Sequence, residues 1–233
     1  MKPRINLTAL LAEICAADIP PAQRLSRYAT AMRESGSPFP DVYDRLVERL
    51  RSVEAGAGAP EVGDIMPPFI LPNSHGRMVS LGETLTQGPV VLSFNRGHWC
   101  PFCKIELWSM SEAEREFAEF GARIVSIMPE RQSSTASIVA ELLNRLPVLS
   151  DMDNGYAMSL GLAMWVGDRV RELMVEHGLS LDAFQGNDAW LLPLPATFVI
   201  GRQGRILARF VDPDFRTRMA IDDIVKALRL SIG

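Results

Sequence analysis

The first 54 residues carry apolar side chains every three or four positions, which is the spacing of an amphipathic helix. Breaks at Pro20-Pro21 and at Gly36-Ser37-Pro38 divide this region into three predicted helices. Alternating Ala and Gly residues follow over 55–60, a composition typical of a flexible linker. The pattern therefore predicts a helical extension over residues 1–58 and a separate domain over residues 60–233.

From residue 67 onward, the apolar positions form short β-type runs separated by turns and helices. Segment 69–81 predicts a hairpin whose turn lies at Asn73–Gly76, because Asn and Gly accept the backbone angles of tight turns. Further strands are predicted over 90–94, 123–128, 147–150, 196–200 and 206–211, the last two as a hairpin across 201–204. Helices are predicted over 101–120, 133–146, 153–178 in two pieces and 219–232, and a loop over 179–194. This order is typical of an α/β fold: a mixed central sheet flanked by helices, with an N-terminal helical extension and a helical insertion.

Charge and hydropathy exclude two classes of partner. The chain has 233 residues and a net charge of −4, with acidic and basic residues spread along it. Without a basic run or a basic excess, we expect no nucleic-acid partner. No stretch of about 18 apolar residues occurs, so we expect no membrane span. Residues 7–17 superficially resemble a secretion signal, but Glu13 interrupts the apolar run, and we expect a mature cytoplasmic protein.

The three cysteines, Cys15, Cys100 and Cys103, narrow the chemistry. Such an odd, low number argues against a secreted disulfide framework. Cys15 falls on the apolar face of the first predicted helix, where a cysteine acts as a small buried hydrophobe. Cys100 and Cys103 follow the strand at 90–94, and Pro101 between them is favoured at the first position of a helix. This spacing places Cys100 at the N-cap and Cys103 in the first helical turn.

The start of a helix favours a thiolate at Cys100. The unpaired backbone N–H groups of Phe102 and Cys103 point toward that sulfur, and the helix dipole adds partial positive charge there. Helix N-termini and Cys-x-x-Cys motifs lower a thiol pKa from about 8.5 to roughly 3.5–7.5. The pattern therefore predicts a reactive thiol and redox chemistry.

Three features in order resemble the thioredoxin superfamily. They are the unit of a strand, Trp99-Cys100-Pro101-Phe102-Cys103 and a helix, the segment Leu194–Ile200 about ninety residues later, and the turn Gly201–Arg205. More specifically, residues 60–232 resemble the alkyl hydroperoxide reductase C/thiol-specific antioxidant (AhpC/TSA) branch, the peroxiredoxins. That closer resemblance is carried by Val62–Asp64, Pro68–Pro72, Cys103–Glu106 and Leu146–Asp151. It implies a thioredoxin-like fold, in which Pro195 matches a cis-proline that packs against the cysteine pair.

The resemblance and the local chemistry favour different attacking cysteines. If Cys103 is matched to the peroxide-reactive cysteine of the family, Glu106 falls on the family's acidic position, and Cys100 and Arg96 replace its threonine and proline. The N-cap position instead favours Cys100, which should be more exposed and better activated, as in thioredoxins. Both assignments stay open at the level of sequence.

The first functional hypothesis is a thiol peroxidase that reduces hydrogen peroxide or organic hydroperoxides. One thiolate becomes a sulfenic acid, the Cys100–Cys103 disulfide forms, and an external dithiol reduces it without a bound cofactor. Arg96 would stabilise the thiolate and the departing oxygen, while His98 would line the loop or tune the thiolates, and Trp99 would form a wall of the site. The resemblance implies a thioredoxin- or glutaredoxin-like reductant and a homodimer.

Two other hypotheses use the same cysteines. In a thiol–disulfide oxidoreductase, Cys100 would attack the disulfide of a partner protein and Cys103 would resolve the mixed disulfide. In a non-enzymatic protein, His98 and both cysteines would bind Zn²⁺ or Cu(I). No fourth ligand lies near them in the sequence, so we expect no metal.

Overall fold

Three helices form the N-terminal part of the chain in the computed structural model, which describes residues 5–142 and 146–231. They are α1 (Leu7–Ala16), α2 (Pro21–Glu34) and α3 (Phe39–Ser52). The three helices predicted for the extension are therefore confirmed, although residues 1–4 lie outside the described residues. The side chain of Asn6 caps α1. In both α2 and α3, a proline occupies one of the first two helical positions.

A mixed sheet of five strands forms the centre of the remaining chain. The strands, in chain order, are β1 (Ile70–Pro72), β2 (Met78–Ser80), β3 (Val90–Phe94), β4 (Arg123–Met128), β5 (Val148–Ser150), β6 (Ala163–Trp165), β7 (Leu191–Pro193), β8 (Ala196–Ile200) and β9 (Ile206–Val211). The sheet order is β5-β4-β3-β8-β9, with β3, β4 and β5 parallel and with β8 antiparallel to both β3 and β9. The predicted strands and both predicted hairpins are confirmed.

Helices cover both faces of this sheet. After α3 they are α4 (Leu81–Gln87), α5 (Pro101–Glu112), α6 (Glu114–Ala118), α7 (Gln132–Glu141), α8 (Gly155–Ser159), α9 (Asp168–Glu176), α10 (Leu181–Gln185) and α11 (Ile221–Arg229). Successive side chains of β3 point to opposite faces, so Leu92 and Phe94 enter one hydrophobic core and Val91 enters the other. The expected α/β architecture is confirmed. Within the described residues, no helix has both the length and the apolar character needed to cross a lipid bilayer.

The structure differs from the prediction mainly between residues 153 and 194. The predicted two-piece helix consists of α8 and α9 separated by strand β6, and the predicted loop contains α10 and β7. Strands β6 and β7 pair as an antiparallel hairpin, with Met164 opposite Leu192. Each strand has only three residues, which is too short to produce a recognisable alternation of apolar and polar positions.

Three predicted helix boundaries also change. The helix predicted over 101–120 divides at Ala113 into α5 and α6. The helix predicted over 133–146 is observed as α7, which ends at Glu141, and residues 143–145 lie outside the described residues. The closing helix predicted over 219–232 is observed as α11, and residue 232 likewise lies outside them.

The N-terminal helices pack against α5. Arg24 of α2 is 4% exposed, and its guanidinium donates to the Ser109 hydroxyl at 3.1 Å and to the Glu112 carboxylate at 2.6 Å. Residues 55–60, predicted as a flexible linker, form turns on the body of the protein. Ala59 is buried there, and its carbonyl accepts a hydrogen bond from Arg209. The helical segment is thus fixed over the helix that begins at the cysteine pair, while the division into domains stays a prediction.

Candidate active site

The cysteine pair lies at the carboxyl end of β3, where a short loop turns the chain into α5. The Asn95 N–H extends the pairing with β4 by donating to the Ile127 carbonyl at 2.9 Å. Gly97 then adopts a φ of +147°, and a Cβ there would lie 2.5 Å from the Trp99 Nε1 atom, so only glycine fits. Cys100 has extended backbone angles and forms the N-cap, and Pro101 is the first residue of α5. This local geometry agrees with the prediction.

Both sulfur-bearing side chains are buried, contrary to the expectation of an exposed Cys100. Cys100 is 1% exposed and Cys103 is 0% exposed. Tyr28 of α2 packs over the start of α5, and Tyr43 of α3 packs against Arg96 and Phe215 beside it. The Tyr28 ring meets the Phe102 ring edge-on at 5.5 Å, and burial together with Cys100 raises the pKa of Tyr28 to about 12.

Arg218 is a polar neighbour of Cys103 that the sequence analysis missed. Its Nη2 atom lies 3.5 Å from the Cys103 sulfur, and its Nε atom donates to Glu106 at 2.5 Å. The buried Glu106 carboxylate also accepts from the hydroxyls of Ser93 and Thr197, each at 3.3 Å. Charge-assisted contacts of this kind fix an arginine in one orientation. The backbone N–H of Arg96, in the loop before α5, also donates to the Cys103 sulfur at 3.4 Å.

Arg96 presents the second guanidinium of the site, and aromatic rings surround it. The side chain is 1% exposed, and its Cζ atom lies 3.9, 5.2 and 5.5 Å from the ring centroids of Phe215, Trp99 and Tyr43. Its Nε and Nη2 atoms have no hydrogen-bond partner within the described part of the chain. No carboxylate among the described residues forms an ion pair with Arg96, so the negative charge available to it is that of the cysteine pair.

These charges separate the pKa values of the two thiols. Burial acts to raise the pKa of Cys100, but the hydrogen bond from Cys103 and the charges of Arg96 and Arg218 outweigh it and lower that pKa to about 6. Burial and the neighbouring Cys100 sulfur raise the pKa of Cys103 well above its usual value, although both arginines act against this rise. At neutral pH the pair therefore consists of a thiolate at Cys100 and a thiol at Cys103.

His98 lies beside the pair and contacts a buried carboxylate that the sequence analysis also missed. Its ring Nδ1 is 2.8 Å from Oε1 of Glu130, and its backbone N–H donates to Oε2 of the same residue at 3.0 Å. Glu130 is completely buried, whereas the His98 side chain is 23% exposed. The ring packs edge-on against Phe184 at 4.8 Å. Glu130 thus fixes the orientation of the imidazole.

Trp99 and Pro195 complete the set of predicted site residues. Trp99 is half-buried, and its ring covers one side of Arg96. Pro195 is buried between β7 and β8, one residue from the position where Ala196 pairs with Phe94. The expectation of a cis peptide bond before Pro195 is wrong, because that bond is trans.

The sequence contains little that would have identified the missed residues. Arg218 follows β9 in a segment without a recognisable motif, and Tyr43 lies in the apolar stripe of a predicted helix. Glu106 gives the one usable signal, since a carboxylate on an otherwise buried helical face needs a cationic or hydrogen-bonding partner. That signal does not say which residue the partner is.

The part of the chain that the structure describes contains no cluster of side chains suited to bind a metal ion. There, no three His, Cys, Asp or Glu side chains come together as metal ligands. His98, the third ligand considered with the two cysteines, directs its Nδ1 atom to Glu130.

Comparisons with known proteins agree with the fold. The model of the AhpC/TSA family matches residues 62–209. A protein of Mycobacterium tuberculosis named as a peroxiredoxin is 30% identical over 102 residues, which cover 44% of this chain and 66% of that protein. The matched part therefore spans just under two thirds of this relative. The thiol–disulfide oxidoreductase ResA of Bacillus subtilis is 23% identical over 71% of this chain and 72% of its own length.

Solved structures with a similar fold include two peroxiredoxin-type proteins. The peroxidoxin BcpB of Mycobacterium tuberculosis superposes with a TM-score of 0.57 at 25% identity, covering 73% of this chain and 97% of that chain. A cysteine-to-serine variant of peroxiredoxin 6 from Arenicola marina gives a TM-score of 0.58 at 15% identity, covering 73% and 72% of the two chains. The thioredoxin-like fold expected from the motifs is thereby confirmed. Residues 5–61, which include α1, α2 and α3, precede the segment that the family model matches.

Proposed function

The chain belongs to the AhpC/TSA family, as its motifs indicated, and from this membership we propose that it is a thiol peroxidase whose attacking sulfur is that of Cys100. The observation that carries the proposal is a buried, acidic thiol at the start of a helix. With a pKa lowered to about 6, Cys100 is largely ionised at neutral pH, and the thiolate is the form that attacks an O–O bond.

The reaction begins with attack by the Cys100 thiolate on one oxygen of the peroxide. An S–O bond forms and the O–O bond breaks, so the sulfur becomes a sulfenic acid and the second oxygen leaves as hydroxide or alkoxide. The leaving oxygen takes a proton from solvent to give water or an alcohol. Because a buried guanidinium stabilises negative charge better than an exposed one, Arg96 would support the charge that develops on the leaving oxygen.

The second step uses Cys103, whose thiol is protonated beside the Cys100 thiolate. Once the sulfenic acid has formed and that negative charge is gone, this thiol gives its proton to the hydroxyl that leaves. Its sulfur attacks the sulfenic acid, water leaves, and the Cys100–Cys103 disulfide forms. A dithiol reductant of the thioredoxin or glutaredoxin type would then reduce this disulfide by thiol–disulfide exchange. A homodimer remains part of the proposal, on the resemblance to peroxiredoxins.

Peroxide consumption by single-cysteine variants tests the assignment. We expect Cys100→Ser to abolish consumption and Cys103→Ser to accumulate a sulfenic acid at Cys100 that a dimedone-type reagent traps. Cys15→Ala is the matched control, since it removes the third thiol, which lies in the hydrophobic core, and should leave peroxide consumption unchanged. Full activity in Cys100→Ser, or a trapped sulfenic acid at Cys103 instead, would assign the attack to the other sulfur.

A thiol–disulfide oxidoreductase is the second candidate, because the likeness to ResA covers most of the chain and because Cys100 occupies the N-cap of α5. Against it stands the burial of both thiols, because a small peroxide reaches a buried sulfur more easily than the disulfide of a folded protein does. Rapid reduction of insulin by the reduced protein, together with slow peroxide turnover, would select this function instead.

A further inference from the structure

Tyr43 is a polar side chain near Arg96 that comes from outside the AhpC/TSA match. Tyr43 lies on α3, ahead of the matched residues 62–209, and is 7% exposed. Its ring centroid lies 5.5 Å from the Arg96 Cζ atom and 4.8 Å from the Phe215 ring. The N-terminal helices therefore contribute directly to the surroundings of the cysteine pair.

Tyr43 contacts Arg96 in two ways. Its ring offers an electron-rich surface to the guanidinium, a contact that strengthens when both groups are removed from water. Its hydroxyl interacts with the same guanidinium: burial raises the pKa of Tyr43, and the positive charge of Arg96 acts against that rise. Both thiols act electrostatically on this hydroxyl as well, which places it within the field of the cysteine pair.

Arg96 needs such a support because the loop provides few polar contacts for it. Among the residues that the structure describes, its Nε and Nη2 atoms have no hydrogen-bond partner, and no carboxylate pairs with it. Arg218, by contrast, is held by Glu106. A flexible side chain without directional contacts loses its electrostatic effect when it moves, since the interaction energy falls with distance.

We propose that Tyr43 is a positioning residue of the cysteine site, which holds the Arg96 guanidinium beside Cys100 and so keeps that sulfur ionised. This role of Tyr43 rests on one part of the proposed function, namely that Cys100 is the reactive thiol. It makes the N-terminal helical segment a part of the reactive centre, although this segment lies outside the family match. Its test measures thiol ionisation and does not require peroxide turnover.

The experiment compares alkylation of Cys100 by iodoacetamide in wild type, Tyr43→Leu and Tyr43→Phe. We expect Tyr43→Leu to react at least about fivefold more slowly than wild type near pH 6, where its Cys100 is protonated, and within about twofold of wild type near pH 9.5. Tyr43→Phe keeps the ring and should lie between the two. Tyr156→Leu is the matched control, since Tyr156 is a buried tyrosine whose hydroxyl donates to the Pro67 carbonyl.

Three outcomes would overturn the proposal: a wild-type rate for Tyr43→Leu near pH 6, an equal loss near both pH values, or the same loss in Tyr156→Leu. The last two indicate a purely structural effect. If Tyr43→Leu does not fold, Tyr43→Phe decides alone: a selective loss of about twofold near pH 6 supports the proposal, and an unchanged rate contradicts it. Absence of peroxidase activity in the wild type would refute the proposed function and leave these readings intact.

Discussion

At Cys100, burial and hydrogen bonding act on the same sulfur in opposite directions. Burial alone would keep the thiol protonated, yet the Cys103 hydrogen bond and two guanidiniums hold its pKa near 6. The N-cap position predicted from Pro101 is observed, but it accounts for only part of this effect. The guanidinium of Arg218 comes from a residue more than a hundred positions away, which local sequence reasoning does not reach.

Arg218, which pairs with Glu106, acts to lower the pKa of Cys103 against burial and the neighbouring Cys100. We expect Glu106→Gln, introduced into Cys100→Ser, to lower the pKa of Cys103. The reason is that Arg218 would lose its carboxylate partner while its positive charge, which acts to lower that pKa, remains beside the sulfur. The pH dependence of Cys103 alkylation measures the change, and a shift of one unit gives about a tenfold faster reaction below the pKa.

Glu112→Gln in the same Cys100→Ser background is the control for this measurement. Glu112 also lies on α5 and also pairs with a buried arginine, Arg24, but it stands at the far end of the helix from both cysteines. An equal shift in both variants, or no shift in Glu106→Gln, would show that the Glu106 carboxylate does not control Cys103.

Among the elements, α2 contributes a ring, that of Tyr28, which covers Phe102 at the start of α5. We expect Tyr28→Ala to accelerate the reaction of Cys100 with a bulky maleimide more than its reaction with iodoacetamide, because removal of the ring opens the cover over Phe102. The ratio of the two rates is the measurement, and it should rise several-fold above that of wild type. Tyr156→Ala removes a ring from the core near Phe94 and should leave this ratio unchanged.

The start of β3 depends on a close approach between two glycines. A Cβ at Gly88 would lie 1.9 Å from the carbonyl oxygen of Gly121, so backbone would have to move. We expect Gly88→Ala to lower the free energy of unfolding by at least about 2 kcal/mol in urea denaturation. Gly82→Ala, on α4 with no atom within 4 Å of the added methyl group, should be neutral or stabilising by up to about 1 kcal/mol.

Elements with a strong local pattern were predictable, and elements that depend on distant partners were not. The strand at 90–94 and the strand at 123–128 are observed with the predicted limits because each is a continuous apolar run. Strand β6 exists because β7 pairs with it, and neither segment carries its own signal. The same holds at the site, where Cys100 and Cys103 were predictable, but Arg218 and Tyr43 reach them only through the tertiary fold.

For the molecule as a whole, the acidic thiol links stability to pH. The pKa of Cys100 is lower in the folded protein than in the unfolded chain, so the folded state gains stability as the pH rises from about 6 toward the unfolded value and loses it as the pH falls. Over this window the slope is about 1.4 kcal/mol per pH unit for one proton. We expect the reduced wild type to gain roughly 2 kcal/mol relative to Cys100→Ser between pH 6 and pH 8.

Urea denaturation of both proteins at each pH, under reducing conditions, gives this difference. The comparison is repeated in a Cys103→Ser background, because Cys100 is one cause of the raised pKa of Cys103 and Cys100→Ser removes that cause. Parallel stability curves for the two proteins would mean that Cys100 is not ionised in the folded state.

The aromatic enclosure of Arg96 has a consequence for electron transfer. Oxidation to the disulfide removes the negative sulfur, so a buried positive charge is left without its counter-ion. The dithiol state is therefore favoured, and the reduction potential should be more positive than the value of about −270 mV that thioredoxin has. A disulfide with this potential is reduced readily, even by glutathione, which is a weaker reductant than thioredoxin.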